Sequence, residues 1–263
     1  MGAAAQQAVS HAPVRVASTP AQLQLDGMAQ PSCDPPEHLD VLFIGNSYMR
    51  MHEIPALVEE LGEQAGIELD TEMLAVGGTD FEYHLAREQT VEALESRDWD
   101  VVILQSHSLD PIRNRDGFLE AGAELAQMVR KAGAEPVLFE TWAREEGNEL
   151  YRFGRVGFNP DEMQSIVHDG YEQLAQRTGA SVIDVGAAWR SALQDAPELD
   201  LYASDSNHPG RLGSYLSAAV VFAALTDVSP VGNLQPLLDV DPGDAAVCCK
   251  HAAAIVQPPC KDV

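Results

Sequence analysis

Five short strand-like segments, separated by helical stretches, constrain this chain more than any other feature. "VLFIG" (41–45), "ELDTEMLAV" (68–76), "DVVILQS" (100–106), "AEPVLFET" (134–141) and "ASVIDV" (180–185) are apolar or β-branched runs of strand length. Between and after them, apolar residues recur at helical spacing over Ile54–Gln64, Tyr83–Ser96, Phe118–Gly133, Asp161–Gly179 and finally Gly213–Leu225, with Gly133 and Gly179 as stops. Strands joined by helices of this length predict an α/β chain with a mostly parallel five-stranded sheet and helices on both faces. No internal repeat is visible.

In a sheet of this kind ligands bind outside the carboxyl ends of the strands, so the residues that leave each strand are the ones to read. The first strand delivers Gly45, Asn46 and Ser47, the second Gly77 and Gly78, the third Gln105, Ser106 and His107, and the fourth Thr141 and Trp142. After the fifth comes "YASDSNHPG" (202–210). Small and polar residues converge on one edge.

Those residues suit nucleophilic catalysis. A serine hydroxyl needs a base, and the base needs an orienting group. Asp205 and His208, three apart, can meet across one turn and leave the far ring nitrogen facing outward, and Pro209 keeps them off a helix. Ser47, His208 and Asp205 thus make a candidate triad. The Ser47 N–H, the Gly78 N–H and the Gln105 amide make candidate donors for an oxyanion. Taken singly, each has an ordinary structural role: Ser47 as a helix cap, Gly77-Gly78 as a turn, Gln105 as a polar strand end, Trp142 as a packing residue. Our reading gives Ser47 both duties, cap and nucleophile. Tyr48, Trp142 and His107 are candidates for substrate binding, and Phe81, Tyr83 and the segment "REEGNELYRFGRVGFNP" (144–160) for pocket walls. His52 and His107 stand as reserve bases, whereas His11, His38, His84, His168 and His251 read as surface residues.

The order Gly45-x-Ser47, Gly78, an amide after the third strand and Asp205-x-x-His208 before the last helix resembles the SGNH (GDSL-type) hydrolases. The resemblance spans about Asp40 to Leu225. It implies a three-layer α/β/α sandwich of the flavodoxin-like SGNH type and a Ser-His-Asp site for esters, often acetyl esters of carbohydrates or lipid esters. The first block, "FIGNSY", departs from the usual pattern around the serine, and "LQSHS" puts Gln105 where the family has an oxyanion Asn. "FETWAR" and "NHPGRLGSYLSA" resemble a less characterised bacterial branch. The expected activity is a carboxylic ester hydrolase working through an acyl-enzyme, without metal or cofactor. The alternatives are an acyltransferase with the same site and a non-catalytic glycan-binding module on a decayed scaffold. An FMN protein fits the fold, but no Thr/Ser-rich phosphate loop follows the first strand.

Charge and cysteines set the remaining bounds. With 41 Asp and Glu against 16 Lys and Arg, the formal net charge is −25, and no basic cluster exists to displace counterions from nucleic acid. No apolar run approaches the ~20 residues of a membrane span. The expected partner is a small-molecule or carbohydrate ester. Residues 1–38 read as an irregular arm, 39–228 as the hydrolase domain and 229–263 as a tail packed on it. Cys33, Cys248, Cys249 and Cys260 lie outside the expected core. They could form two disulfides tying arm to tail, in any of three pairings, though adjacent Cys248 and Cys249 could bond each other only with strain, or they could be free thiols. Disulfides would fit a secreted or periplasmic protein, and free thiols a cytoplasmic one.

Overall fold

The computed structural model describes residues 35–232 and 234–255. The chain opens with β1 (His38–Gly45), then α1 (Ser47–Arg50), a 3₁₀ turn over Met51–Glu53, α2 (Ile54–Ala65) and β2 (Glu68–Ala75). Next come α3 (Phe81–Leu85), α4 (Glu88–Glu95), β3 (Val101–Leu104), α5 (Asp110–Arg113), α6 (Arg115–Lys131) and β4 (Glu135–Phe139). A 3₁₀ turn (Glu149–Phe153) leads to α7 (Pro160–Thr178), β5 (Ser181–Ile183), α8 (Val185–Asp195), α9 (Arg211–Thr226) and α10 (Pro242–Ile255). All pairings are parallel, in the order β2-β1-β3-β4-β5.

Strand side chains alternate between faces, and here both faces are dry. Val41 and Phe43 of β1, with Ile103, Phe139 and Ile183, enter one core with α2, α8, α9 and α10. Leu42 and Ile44, with Val102, Leu104 and Leu138, enter a second core with α3, α4, α6 and α7. The result is a three-layer α/β/α sandwich. β1 is an interior strand, second from one edge, and the chain steps from it to β2 on one side and later to β3 on the other. The carboxyl end of β1 is therefore the topological switch point, where an open parallel sheet leaves a crevice.

Several elements differ from the sequence reading. The helix expected over Tyr83–Ser96 is two helices, because Ala86 and Arg87 leave helical geometry between α3 and α4. Helices α8 and α10 were not anticipated. Asp241 marks the start of α10, its carboxylate accepting the N–H groups of Gly243 and Asp244, with Pro242 at the first helical position. Ala245, Cys248, Cys249 and Ala252 of α10 join the first core, so Cys248 and Cys249 are not outside it, as expected, but are buried free thiols. Small side chains let α10 pack on α8 and α9. Cys33 and Cys260 fall outside the described residues, and with them the proposed disulfides.

Two of the supposed surface histidines are buried. His251 bridges Ser191 Oγ and Asp195 Oδ2 across to α8, and His84 bonds the carbonyl of Gly45 at 2.8 Å. Burial lowers the His84 pKa, so the ring is the neutral donor that holds the end of β1. Phe81, 1% exposed, packs against Phe118 in the second core, while Tyr83 stacks under Arg87.

Helix α9 is buried nearly all round, and Gly213 is why it can approach the preceding loop. A Cβ there would lie 2.1 Å from the Leu201 carbonyl and 2.5 Å from the Trp189 ring. Gly213→Ala is expected to destabilise the fold by about 1–3 kcal/mol, the usual range for overpacking, read as a lower denaturant midpoint.

A second test concerns the contact that fastens α7 to the sheet. Glu140, fully buried just past β4, accepts from Gln164 Nε2 at 2.6 Å and lies 2.7 Å from His168 Nδ1. The hydrogen bond with Glu140 raises the His168 pKa from 6.5 to about 9. Since the folded state holds this proton more tightly, the contribution is complete below about pH 6.5 and is lost as pH rises through about 9. Melting temperature should fall over that window, and His168→Gln should flatten the fall. An unchanged slope would refute the pairing.

Candidate active site

The turn after β1 is organised by Asn46. Its Oδ1 accepts the Tyr48 N–H at 3.1 Å, capping α1, and its Nδ2 donates to the Thr79 carbonyl at 2.8 Å, tying this turn to the loop after β2. Asn46 is thus the cap and Ser47 the first helical residue, which corrects the dual role read for Ser47. The cap position falls one residue earlier, and the serine hydroxyl is left for another partner.

That partner is His208. Ser47 Oγ lies 2.8 Å from His208 Nε2, and His208 Nδ1 lies 2.5 Å from Asp205 Oδ2. Asp205 also accepts the N–H of His208 at 2.9 Å and that of Asn207 at 3.1 Å through Oδ1. Burial pulls its carboxyl upward, but these hydrogen bonds outweigh burial and hold the pKa below the ordinary carboxylate value. An ionised Asp205 accepts the hydrogen bond from Nδ1–H and so keeps the ring proton there, which leaves Nε2 as acceptor for the serine hydroxyl.

The loop carrying the pair is fixed on several sides. Ala203 N–H donates to the His208 carbonyl, Gly210 N–H to that of Leu201, and Trp142 Nε1 to that of Asn207 at 3.0 Å. Trp142 lies between two rings, 4.7 Å from Tyr48 and 4.1 Å from Trp189, and Tyr48 meets His208 edge-on at 5.3 Å. A column of rings therefore backs the imidazole.

A cleft of about 280 Å³ opens over Ser47, lined by Asn46, Tyr48, Gly77, Gly78, His107, Ser108, Arg144, Asn207 and His208. Gly78 has φ +73, a left-handed conformation that favours glycine. Among the described residues nothing accepts its N–H. His107 Nδ1 accepts the Leu109 N–H at 3.2 Å. Burial, with the nearby Arg144 and Arg113 charges, lowers its pKa, so the neutral ring carries its proton on Nε2.

Two expected site residues are elsewhere. Gln105 is fully buried and absent from the cleft lining: its Oε1 accepts the Asn46 N–H at 3.1 Å and its Nε2 donates to the Ser106 carbonyl. Both ends of the amide serve the backbone, satisfying two strand-end groups that are buried with it. Trp142 is 1% exposed, supports Tyr48 from behind, and with Trp189 and Tyr202 is among the residues lining a separate cavity of about 340 Å³. His52 bonds Ser214 of α9 at 2.9 Å and does not reach the cleft. Ser108 and Asn207 were missed, while Arg144, the first residue of the 144–160 segment read as a pocket wall, does line the cleft.

Glu140, His168 and Asp184 bring potential metal-ligating atoms within 4.8 Å of one another. The 2.7 Å contact there is a proton-bridged pair, and Gln164 takes the other Glu140 oxygen.

The sequence matches no family model and no curated protein. Its fold is similar to solved structures. A protein described as a candidate SGNH hydrolase from Slackia heliotrinireducens is 28% identical over 70% of this chain and 97% of its own, with TM-score 0.60. A DUF4886 family protein from Bacteroides uniformis is 21% identical over 82% and 94%, with TM-score 0.72. An acetyl xylan esterase, AlAXEase, is 17% identical over 71% and 100%, with TM-score 0.56. Strand order, layers and these neighbours agree with the resemblance read from the sequence: the chain has the SGNH-type hydrolase fold.

Proposed function

We propose that the protein is a serine-dependent carboxylic ester hydrolase. The observation that carries this reading is the unbroken relay from Ser47 Oγ through His208 to Asp205, with spans of 2.8 and 2.5 Å, beside an open cleft. Ser47 attacks the ester carbonyl while His208 Nε2 takes its proton. The imidazolium, stabilised by Asp205, then protonates the departing alcohol. Water, deprotonated by the same imidazole, resolves the acyl-enzyme.

The tetrahedral oxygen needs donors already in place. The N–H of Ser47, the unclaimed N–H of Gly78 and the Nε2–H of His107 fill that role, with His107 in the duty first assigned to Gln105. A cleft of about 280 Å³ suits a short acyl chain. The acetyl xylan esterase among the fold neighbours supports an acetylated carbohydrate as one substrate class.

Ser47→Ala should abolish labelling by a fluorophosphonate and all turnover of nitrophenyl acetate, with the melting curve unchanged. Asp205→Asn should lower kcat by on the order of 10³–10⁴, since the amide favours the wrong tautomer. His107→Leu should lower kcat by on the order of 10²–10³ with little change in KM, the signature of a lost oxyanion donor. Full activity in a folded Ser47→Ala protein would end this reading.

A further inference from the structure

Arg144 is the buried Lys or Arg side chain among the described residues, at 6% exposure, and it lines the same cleft as Ser47. Its guanidinium donates Nη1 to the Tyr48 hydroxyl and Nη2 to Ser108 Oγ at 3.1 Å. Both partners are neutral. Among the described residues no carboxylate lies within 4.0 Å of it, and the carboxylate of the relay, Asp205, is engaged by His208. The Tyr48 ring, 5.8 Å from the guanidinium carbon, is the other neighbour; burying a cation with only neutral partners is costly, and proteins ordinarily pair or expose such a charge.

The fold does both elsewhere. Arg97 meets Asp40 and Asp70, Arg190 meets Asp161, and Arg130 meets Glu135. In a chain with 41 acidic residues a partner for Arg144 would be easy to supply, yet the residues that line the cleft with it include Tyr48, His107, Ser108 and Asn207 and no carboxylate. A second cation stands at the mouth: Arg50 Nη2 lies 3.6 Å from where a Gly77 side chain would begin, and Arg50 has no ion pair among the described residues. The overall charge of −25 would repel an anion at long range, but that field is screened beyond about 8 Å at physiological salt. Inside the cleft the desolvated guanidinium wins.

Resting on the reading of Ser47 as nucleophile, we infer that the preferred substrate is an ester bearing a carboxylate a few bonds from the scissile carbonyl, and that Arg144 is the residue that receives that carboxylate. The planar guanidinium keeps free N–H groups beyond the two it spends on Tyr48 and Ser108, and can offer them to a carboxylate as a fork. The anion supplies the missing counter-charge, which makes Arg144 a determinant of specificity.

The test compares monomethyl succinate with its neutral counterpart dimethyl succinate, followed by pH-stat. Acetoxyacetate against ethyl acetate reports whether the carboxylate belongs on the alcohol side. Wild type should favour the anionic member of at least one pair by tenfold or more in kcat/KM. Arg144→Gln should collapse the ratio of anionic to neutral kcat/KM toward one, chiefly through a higher KM for the anionic ester, and the ratio is the readout because Arg144 also lines the cleft. Should that variant not fold, Arg144→Lys retains the charge and should keep a weaker, salt-sensitive preference. Anion binding is read separately as a rise in Tm with succinate, absent with sodium chloride at equal ionic strength and absent in Arg144→Gln. Equal kcat/KM within both pairs, or a Tm rise that persists without Arg144, overturns the inference while leaving the hydrolase reading intact. Failure of Ser47 to react with a fluorophosphonate, with the succinate effect still dependent on Arg144, overturns the hydrolase reading and leaves the anion site standing.

Discussion

Everything in this site descends from the burial of β1 on both faces and its pairing on both edges. Val41 and Phe43 go to one core, Leu42 and Ile44 to the other, while β2 and β3 take the backbone on either side. Such a strand has no freedom of register, because a one-residue slip would exchange the two cores. Its carboxyl end therefore arrives at a fixed point, and His84 and Gln105 hold that point from the flanks through the Gly45 carbonyl and the Asn46 N–H. Ser47 is positioned by a lattice of buried hydrogen bonds before any catalytic partner is considered.

The other half of the relay arrives on a loop, so it needs a different kind of support. Asp205 folds the loop on itself by accepting two backbone N–H groups, the loop backbone bonds Leu201, Ala203 and Trp142, and α9 begins three residues past His208. The close packing at Gly213 presses that helix against the loop base. Rings then link the two halves, since Tyr48 from the serine turn touches His208 and stacks on the same Trp142 that holds the Asn207 carbonyl. A substitution in this column would reach the imidazole without touching it.

Buried charge is handled in two ways in the segment that leaves β4. Beyond β4 and β5, Glu140 meets a histidine whose proton it stabilises and an amide that takes its second oxygen. Four residues later in the chain, Arg144 is buried beside two hydroxyls and the Tyr48 ring, with no carboxylate among the described residues. The first arrangement is complete in itself and holds α7 to the sheet. The second is complete only with an anion present, which is the physical difference between a structural ion pair and a recognition site.

The sequence by itself determined the layers and the order of the site. Apolar runs of strand length alternating with helical periodicity leave a parallel sheet as the economical solution, and the strand-end rule then points to Ser47, Gly78, Asp205 and His208, residues that the structure brings to one cleft or its rim. Local pattern did not reach the roles that depend on where a side chain points. Asn46 rather than Ser47 caps α1, because the cap is decided by one residue of backbone geometry. Gln105 turns into the backbone, because two unsatisfied groups are nearer than the cleft. His84, Cys248 and Cys249 are buried, since polar or small residues give no periodic signal when a neighbouring helix covers them. Arg144 looked like any charged residue after a strand. Only the tertiary structure, by removing it from water without giving it a carboxylate, made its charge informative.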